Sequence, residues 1–265
     1  MSFRTHRALA VAWKEALDLK KNPGLVASML ALPAALVLVP VGIIWSYVHN
    51  PDDISLRTIA LYYDPGLPLH ASAARFLVDK LLADWFGLFL LMPVFTPILI
   101  SSQSVAGEKE RRTLESLLHL PIAERDLFYA KVLGAWIPAV LISWIGFVVF
   151  AFVANGVAWP VVHRVFVPTA LWVVMIVWLS PAVAALGMGV MVRVSARAHT
   201  AQEANQLGGA VILPLIFATV AQSTGLLLVS LPIAIGVGIV VWGIAITLLS
   251  RGAARFTRDR LAASL

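Results

Sequence analysis

Five windows of this chain carry no Asp, Glu, Lys or Arg: residues 22–51, 85–107, 132–163, 165–192 and 204–250. A helix crossing a membrane needs about 20 mostly apolar residues, because its backbone groups find no water in hydrocarbon and must satisfy one another. Each of the first four windows predicts one such helix. The fifth holds 47 residues and would reach about 70 Å as a single rod at ~1.5 Å per residue, against a hydrocarbon core of ~30 Å. It has to fold back, and the polar, flexible Gln222-Ser223-Thr224-Gly225 marks the turn. Six spans are expected, over about 25–48, 85–105, 130–154, 166–192, 206–221 and 226–249. The fifth is short and contains Gly208, Gly209 and Pro214.

The segments between the windows differ in kind. In residues 1–24, Phe3, Leu9, Ala10, Trp13 and Leu17 fall close to one helical face among scattered charges. That pattern predicts an amphipathic helix on the membrane surface, retained rather than cleaved. The stretch 49–84 reads as an outer loop: Ile54–Tyr63 looks strand-like, Asp64-Pro65-Gly66 is a turn signal, and 71–82 has helical spacing. It is too small to own a core and should pack on the spans as a cap. Residues 107–120 form a dense charged run that favours helix and cannot lie in lipid. As a helix it would be about 21 Å long.

Composition agrees with an all-α polytopic membrane protein. Of 265 residues 60% are hydrophobic and 13% charged, with mean hydropathy +0.88. The net charge of +6 does not signal a nucleic-acid partner, since the basic residues sit at span ends, where topology and anionic lipid account for them. Of the 20 lysines and arginines, only Arg57, Arg75, Lys80 and Arg164 fall outside the regions grouped with the termini and the charged run. Cytoplasmic lysine and arginine are in excess in such proteins, so both termini and the run 107–120 are expected in the cytoplasm. Trp45, Tyr47, Trp85, Trp136, Trp159 and Trp178 lie toward span ends, as interfacial anchors would. Cysteine is absent, which removes disulfides, thiol nucleophiles and cysteine metal sites.

Within the run, Leu114, Leu117 and Leu118 make one apolar stripe, while Glu108 with Arg112 and Arg111 with Glu115 stand at i, i+4 on the remaining surface. An apolar stripe with a charged rim is a docking surface, and Pro121 breaks the helix behind it. The candidate contact residues are Gly107, Glu108, Lys109, Glu110, Arg111, Arg112, Thr113, Leu114, Glu115, Leu117 and Leu118.

The run and its surroundings resemble the ABC-2 family of ATP-binding-cassette permeases. The likeness lies in Pro93-Val94-Phe95-Thr96-Pro97, then Ser104 through Leu118 with its Gly-Glu-Lys-Glu-Arg start, then Pro121-Ile122 and Lys131-Val132-Leu133. Trp13-Lys14-Glu15-Ala16-Leu17 before Lys20-Lys21-Asn22-Pro23 is similar to the entry helix of that family. The resemblance implies a type V exporter-like fold, with six transmembrane helices, an N-terminal interfacial helix and a cytoplasmic coupling helix at 107–120. It also implies a soluble ATPase dimer as partner, holding ATP and Mg, a second permease copy, more readily a homodimer than a heterodimer, and a prokaryotic plasma membrane. The short outer loop departs from branches that carry a large external domain. No Gly-x-x-x-x-Gly-Lys-Ser/Thr loop occurs here, so the chain itself has no cofactor and is not the ATPase.

Other residues add little chemistry. His49, His70, His119, His163 and His199 are scattered, and no charged residue lies deep in a span, which argues against zinc, acid-base catalysis and ion-coupled carriage. Ser101, Ser102, Gln103, Asn205 and Gln206 could line a pathway or bond between helices. Gly187-Met188-Gly189 and Gly208-Gly209 are expected close-packing points, and the loop 193–206 is a minor candidate contact. Walls from spans one, two and five would be apolar, suiting a hydrophobic or amphipathic cargo. The competing function is a channel or sensory scaffold outside the ABC class, whose charged helix binds another cytoplasmic partner.

Overall fold

A computed structural model describes residues 23–102, 124–197, 200–210, 212–223 and 230–255. Among them all regular structure is helical: α1 (Pro23–His49), α2 (Ile54–Tyr63), α3 (Ala73–Trp85), α4 (Leu91–Ser101), α5 (Glu124–Val162), α6 (Ala170–Val174), α7 (Ser180–Arg197), α8 (Ala201–Gly209), α9 (Ile212–Ser223) and α10 (Leu231–Arg255). A tight 3-10 turn, Phe86–Leu90, joins α3 to α4, and a π-turn, Met175–Leu179, joins α6 to α7. Six stretches are long and apolar enough to cross a membrane: Pro23–His49, Ala73–Ser101, Phe128–Val162, Ala170–Val194, Gln202–Gln222 and Leu231–Ala254. They are spans one to six below. The fifth, at 21 residues, reaches ~31 Å as helix, about the hydrocarbon thickness.

Spans two and four form the centre, with 72% and 67% of their apolar windows buried, against 18% and 17% in spans five and six. A helix apolar all round belongs inside or against lipid, and both cases occur here. Span four packs along span six and against spans two, three and five, while span one leans on span three and span two. Gly189 lets spans four and six touch, since a Cβ there would lie 2.7 Å from Leu248 Cβ. Of the other glycines expected at crossings, Gly187 faces Pro97 and Gly208 faces Met191, whereas Gly209 has nothing within 4 Å.

Near the end of the bundle that carries residues 50–72, here the cap end, the Trp172 indole binds three spans together. Phe147 and Phe150 of span three stack on it at 5.5 and 5.8 Å, and Phe89 and Phe86 from the 3-10 turn meet it edge-on at 5.2 and 5.6 Å. Such pairs stabilise by about 0.5–1.5 kcal/mol each beyond burial of area. Asn155 of span three secures the loop to span four: its Oδ1 accepts the Phe166 and Val167 N–H groups at 2.9 and 3.4 Å, and its Nδ2 donates to the Val167 carbonyl.

Two expectations for 49–84 need correction. Ile54–Tyr63 is a helix, not a strand. Its β-branched and aromatic residues favour strands, but Asp53 caps the first turn by accepting the Ser55 N–H, and Leu56 and Ala60, one helical turn apart, bury against Ala73, Ala74 and Leu77. The loop is also shorter than expected, because span two runs unbroken from Ala73 through position 85. Its 29 residues reach ~43 Å, so the charged first turns extend beyond the hydrocarbon. Arg75 is exposed, and the other charges there are paired, Lys80 with Asp84 at 2.7 Å and Asp79 with Arg164 at 3.1 Å.

The tryptophans also depart from the anchor pattern. Trp85, Trp136 and Trp178 donate their indole N–H groups to the carbonyls of Leu36, Pro181 and Ile235 at 3.0, 2.9 and 3.4 Å. An indole N–H below the headgroups is costly to leave without a protein acceptor, although Trp242 Nε1 is buried without one. Trp45 and Trp159 stay half exposed, at 54% and 52%.

Candidate functional site

The eleven candidate coupling residues, Gly107 to Glu115 with Leu117 and Leu118, lie outside the described residues, as do Gln103 and the N-terminal segment 1–22. The structure describes the base from which the run departs, made by the end of span two and the start of span three. At this end Ser101 and Ser102 are buried. Ser101 donates its hydroxyl to Met188 Sδ at 3.0 Å and Ser102 to the Leu99 carbonyl at 2.8 Å, so both hydroxyls serve bonding between and within helices.

On the other side of the run, Phe128 is 2% exposed and seats in a cluster with Met29, Leu99, Ile100, Val132, Ala135, Met188 and Ala253. Those residues come from spans one, two, three, four and six. The seat depends on Gly252: a Cβ there would lie 3.1 Å from Phe128 Cζ and 3.2 Å from Val192 Cγ1. Lys131, one turn further along span three, is buried as well. Close-packed interiors pass strain on rather than absorb it, so a displacement of the first turns of span three reaches four other spans. No spacing in the sequence marks Phe128 for this place; the signal is Gly252, which lies more than a hundred positions away.

The second loop on this side leads into a capped helix. Thr200 accepts the Glu203 N–H at 3.1 Å and starts α8, and Thr-x-x-Glu is the sequence of a capping box. Arg193 and Gln206 are exposed and Asn205 is half-buried. The exposed side of span five beyond them is apolar, with Leu207, Leu213, Phe217 and Val220 outermost. Span five is held to span two at its far end, where Gln222 Nε2 donates to the Ala83 carbonyl at 2.8 Å and Thr219 lies against Gly87.

A family profile described as ABC-2 type transporter matches residues 6–224. Comparison with curated proteins gave no match, and neither did comparison with solved structures. The matched stretch contains the run 107–120, both spans that it joins and the first five spans entire, and on that extent this all-helical, multi-pass membrane chain belongs to the ABC-2 type transporter family.

Proposed function

We propose that the chain is the membrane half of an ATP-driven exporter, and that its residues 107–120 form a cytoplasmic lever moved by a separate ATPase. Family membership makes it a permease subunit of an ABC transporter, a family that normally works with an ABC ATPase partner. The observation that carries the finer reading is that the match runs through the charged segment and both flanking spans, while the sequence there holds an apolar stripe with a charged rim. The packing of Phe128 supports it, since a push on the lever would enter the bundle where five spans meet.

In this reading an ATPase dimer carrying ATP and Mg binds Glu108, Glu110, Arg111, Arg112 and the Leu114, Leu117, Leu118 stripe of two permease copies. Closure of the dimer on ATP then drives the spans between two access states. Both termini lie in the cytoplasm of a prokaryotic cell, two identical copies pair, and the cargo is hydrophobic or amphipathic, leaving the cytoplasm or the inner leaflet. The apolar exposed wall of span five supports that cargo class.

Affinity purification from native membranes tests the partner: a stoichiometric ATPase is expected to accompany the chain. Glu108→Lys with Glu110→Lys should then leave the spans folded while abolishing the ATP-dependent change in distance between spin labels placed on spans one and six. Unchanged coupling in that variant, or purification without an ATPase, would overturn the assignment.

A further inference from the structure

The cap helix α2 buries Leu56 and Ala60 but lacks the charged outer face expected of a helix that faces water. Its only charged side chain, Arg57, turns inward, donating to the carbonyls of Leu67 and Pro68 at 3.0 Å and of Ala71 at 3.1 Å. The opposite face presents Ile54 and Tyr62, each 83% exposed, with Leu61 beside them and Ser55 and Thr58 between. A solvated helix face is ordinarily charged, with large apolar side chains turned to the core. Here large apolar groups and hydroxyls point out and the charge points in.

We propose that α2 lies in the membrane–water interface at the cap end of the bundle, with Ile54, Leu61 and Tyr62 set at the boundary between lipid headgroups and acyl chains. Three observations favour lipid as the occupant over protein. Span one ends at His49 and α2 begins at Ile54, so even a fully extended link holds the two ends within about 18 Å. The link is tighter than that, closed by Asn50 N–H to Ser46 O and Asp53 N–H to Asn50 O, both at 3.2 Å. At the end of span one, Trp45 is half exposed with its ring 4.2 Å from that of His49, and an exposed indole at a span end marks the headgroup level. The exposed face of α2 therefore continues the lipid-facing belt of span one. Its outer face also carries side chains suited to an interface, with apolar groups beside a tyrosine hydroxyl and small hydroxyl side chains.

The proposal does not depend on the transport reading, and its test does not use ATP. Because the chain has no cysteine, single cysteines at Ile54, Tyr62, Asp52, Asp64 and Leu38 can each carry a spin label without further change. All five positions are exposed, and the labels at 62 and 64 give up only the edge contact of Tyr62 with Tyr63 and the Gly66 N–H bond to Asp64. In the full-length protein, reconstituted into phosphatidylethanolamine and phosphatidylglycerol vesicles, collision with oxygen and with a water-soluble nickel chelate is measured at each site. Labels at 54 and 62 should favour oxygen and exclude nickel, as the label at 38 in span one does, while labels at 52 and 64 favour nickel. Nickel access at 54 and 62 equal to that at 64 would place the face in water and overturn the proposal. Protection from both reagents, with dipolar broadening that disappears when labelled protein is diluted with unlabelled, would place a second copy there and also overturn it.

Discussion

The indole of Trp144 in span three donates its N–H to the carbonyl of Ile176 in span four at 2.9 Å. The donors that an α- or π-helical turn would offer that carbonyl are both lost. The N–H of Ser180 is directed to Met175 across the π-turn, and the next residue is Pro181, which has no N–H. An irregular turn in the middle of a membrane is tolerated only where protein groups satisfy it, and Trp144 does so.

Trp144→Phe keeps a six-membered aromatic ring and removes the N–H donor. It should destabilise the protein by about 1–3 kcal/mol, the cost of leaving a buried carbonyl unpaired. Unfolding by sodium dodecyl sulfate from mixed micelles measures this. A variant as stable as the parent would mean that the Ile176 carbonyl has another partner.

Trp85 performs the same service for Leu36, whose helical donor would be residue 40 and is a proline. The two sites should therefore be coupled. Trp85→Phe alone leaves the Leu36 carbonyl orphaned, whereas in a Pro40→Ala background the restored N–H of residue 40 takes it. A double-mutant cycle should show Trp85→Phe costing less in the alanine background by about 1 kcal/mol. Additive effects would refute the account.

Close approach of spans four and six predicts a contrast between two glycines. Gly189→Ala sets a methyl 2.7 Å from Leu248 Cβ and should cost about 1–3 kcal/mol through overpacking. Gly236→Ala, with nothing within 4 Å, should be neutral or slightly stabilising, since alanine is the better helix former. Parallel losses in the same denaturation assay would mean that the span contact is not the cause.

The cap helix should respond to acid. The Ser55 N–H donates to the Asp53 carboxylate at 2.8 Å, and this backbone bond holds the Asp53 pKa below its ordinary value. A carboxyl depressed in the folded state gives stabilisation that is complete above its unfolded-state pKa and is lost as pH falls through the folded one. Hydrogen-exchange protection of residues 55–57, corrected for intrinsic rates, should fall over that acidic range. Asp53→Asn, which still caps but cannot titrate, should hold protection level across it, and Asp53→Ala should lack protection throughout. A pH-independent profile in the parent chain would remove the carboxylate from the capping role.

How far the sequence went is clearest element by element. The six spans were legible because an uncharged window of about 20 residues has few other uses. The helix at Ile54–Tyr63 was not, since Ile54, Thr58, Ile59 and the tyrosines favour strands locally, and the deciding partners, Ala73, Ala74 and Leu77, come from another element. The start of span two was missed for a related reason. Asp79, Lys80 and Asp84 look like a loop until Arg164 and the Lys80–Asp84 pair are seen to neutralise them. For the candidate site, the order of the motif around 107–120 was plain in the chain and the family match agrees with it. The packing that would receive its motion was hidden, because Phe128 and Gly252 share no pattern in sequence. Trp85 misleads because an indole is amphipathic anywhere, and only the break left by Pro40 shows where its N–H is needed.

The bonds of Asn155 bear on how the chain is made. Every one of them closes within 12 residues, so they can form as soon as residues 151–167 have emerged from the insertion machinery, before spans five and six have followed them. Local contacts of this kind form early and at low entropic cost. Spans three and four can thus enter the bilayer as a joined hairpin, with the registry that stacks Trp172 on Phe147 and Phe150 already set during biosynthesis.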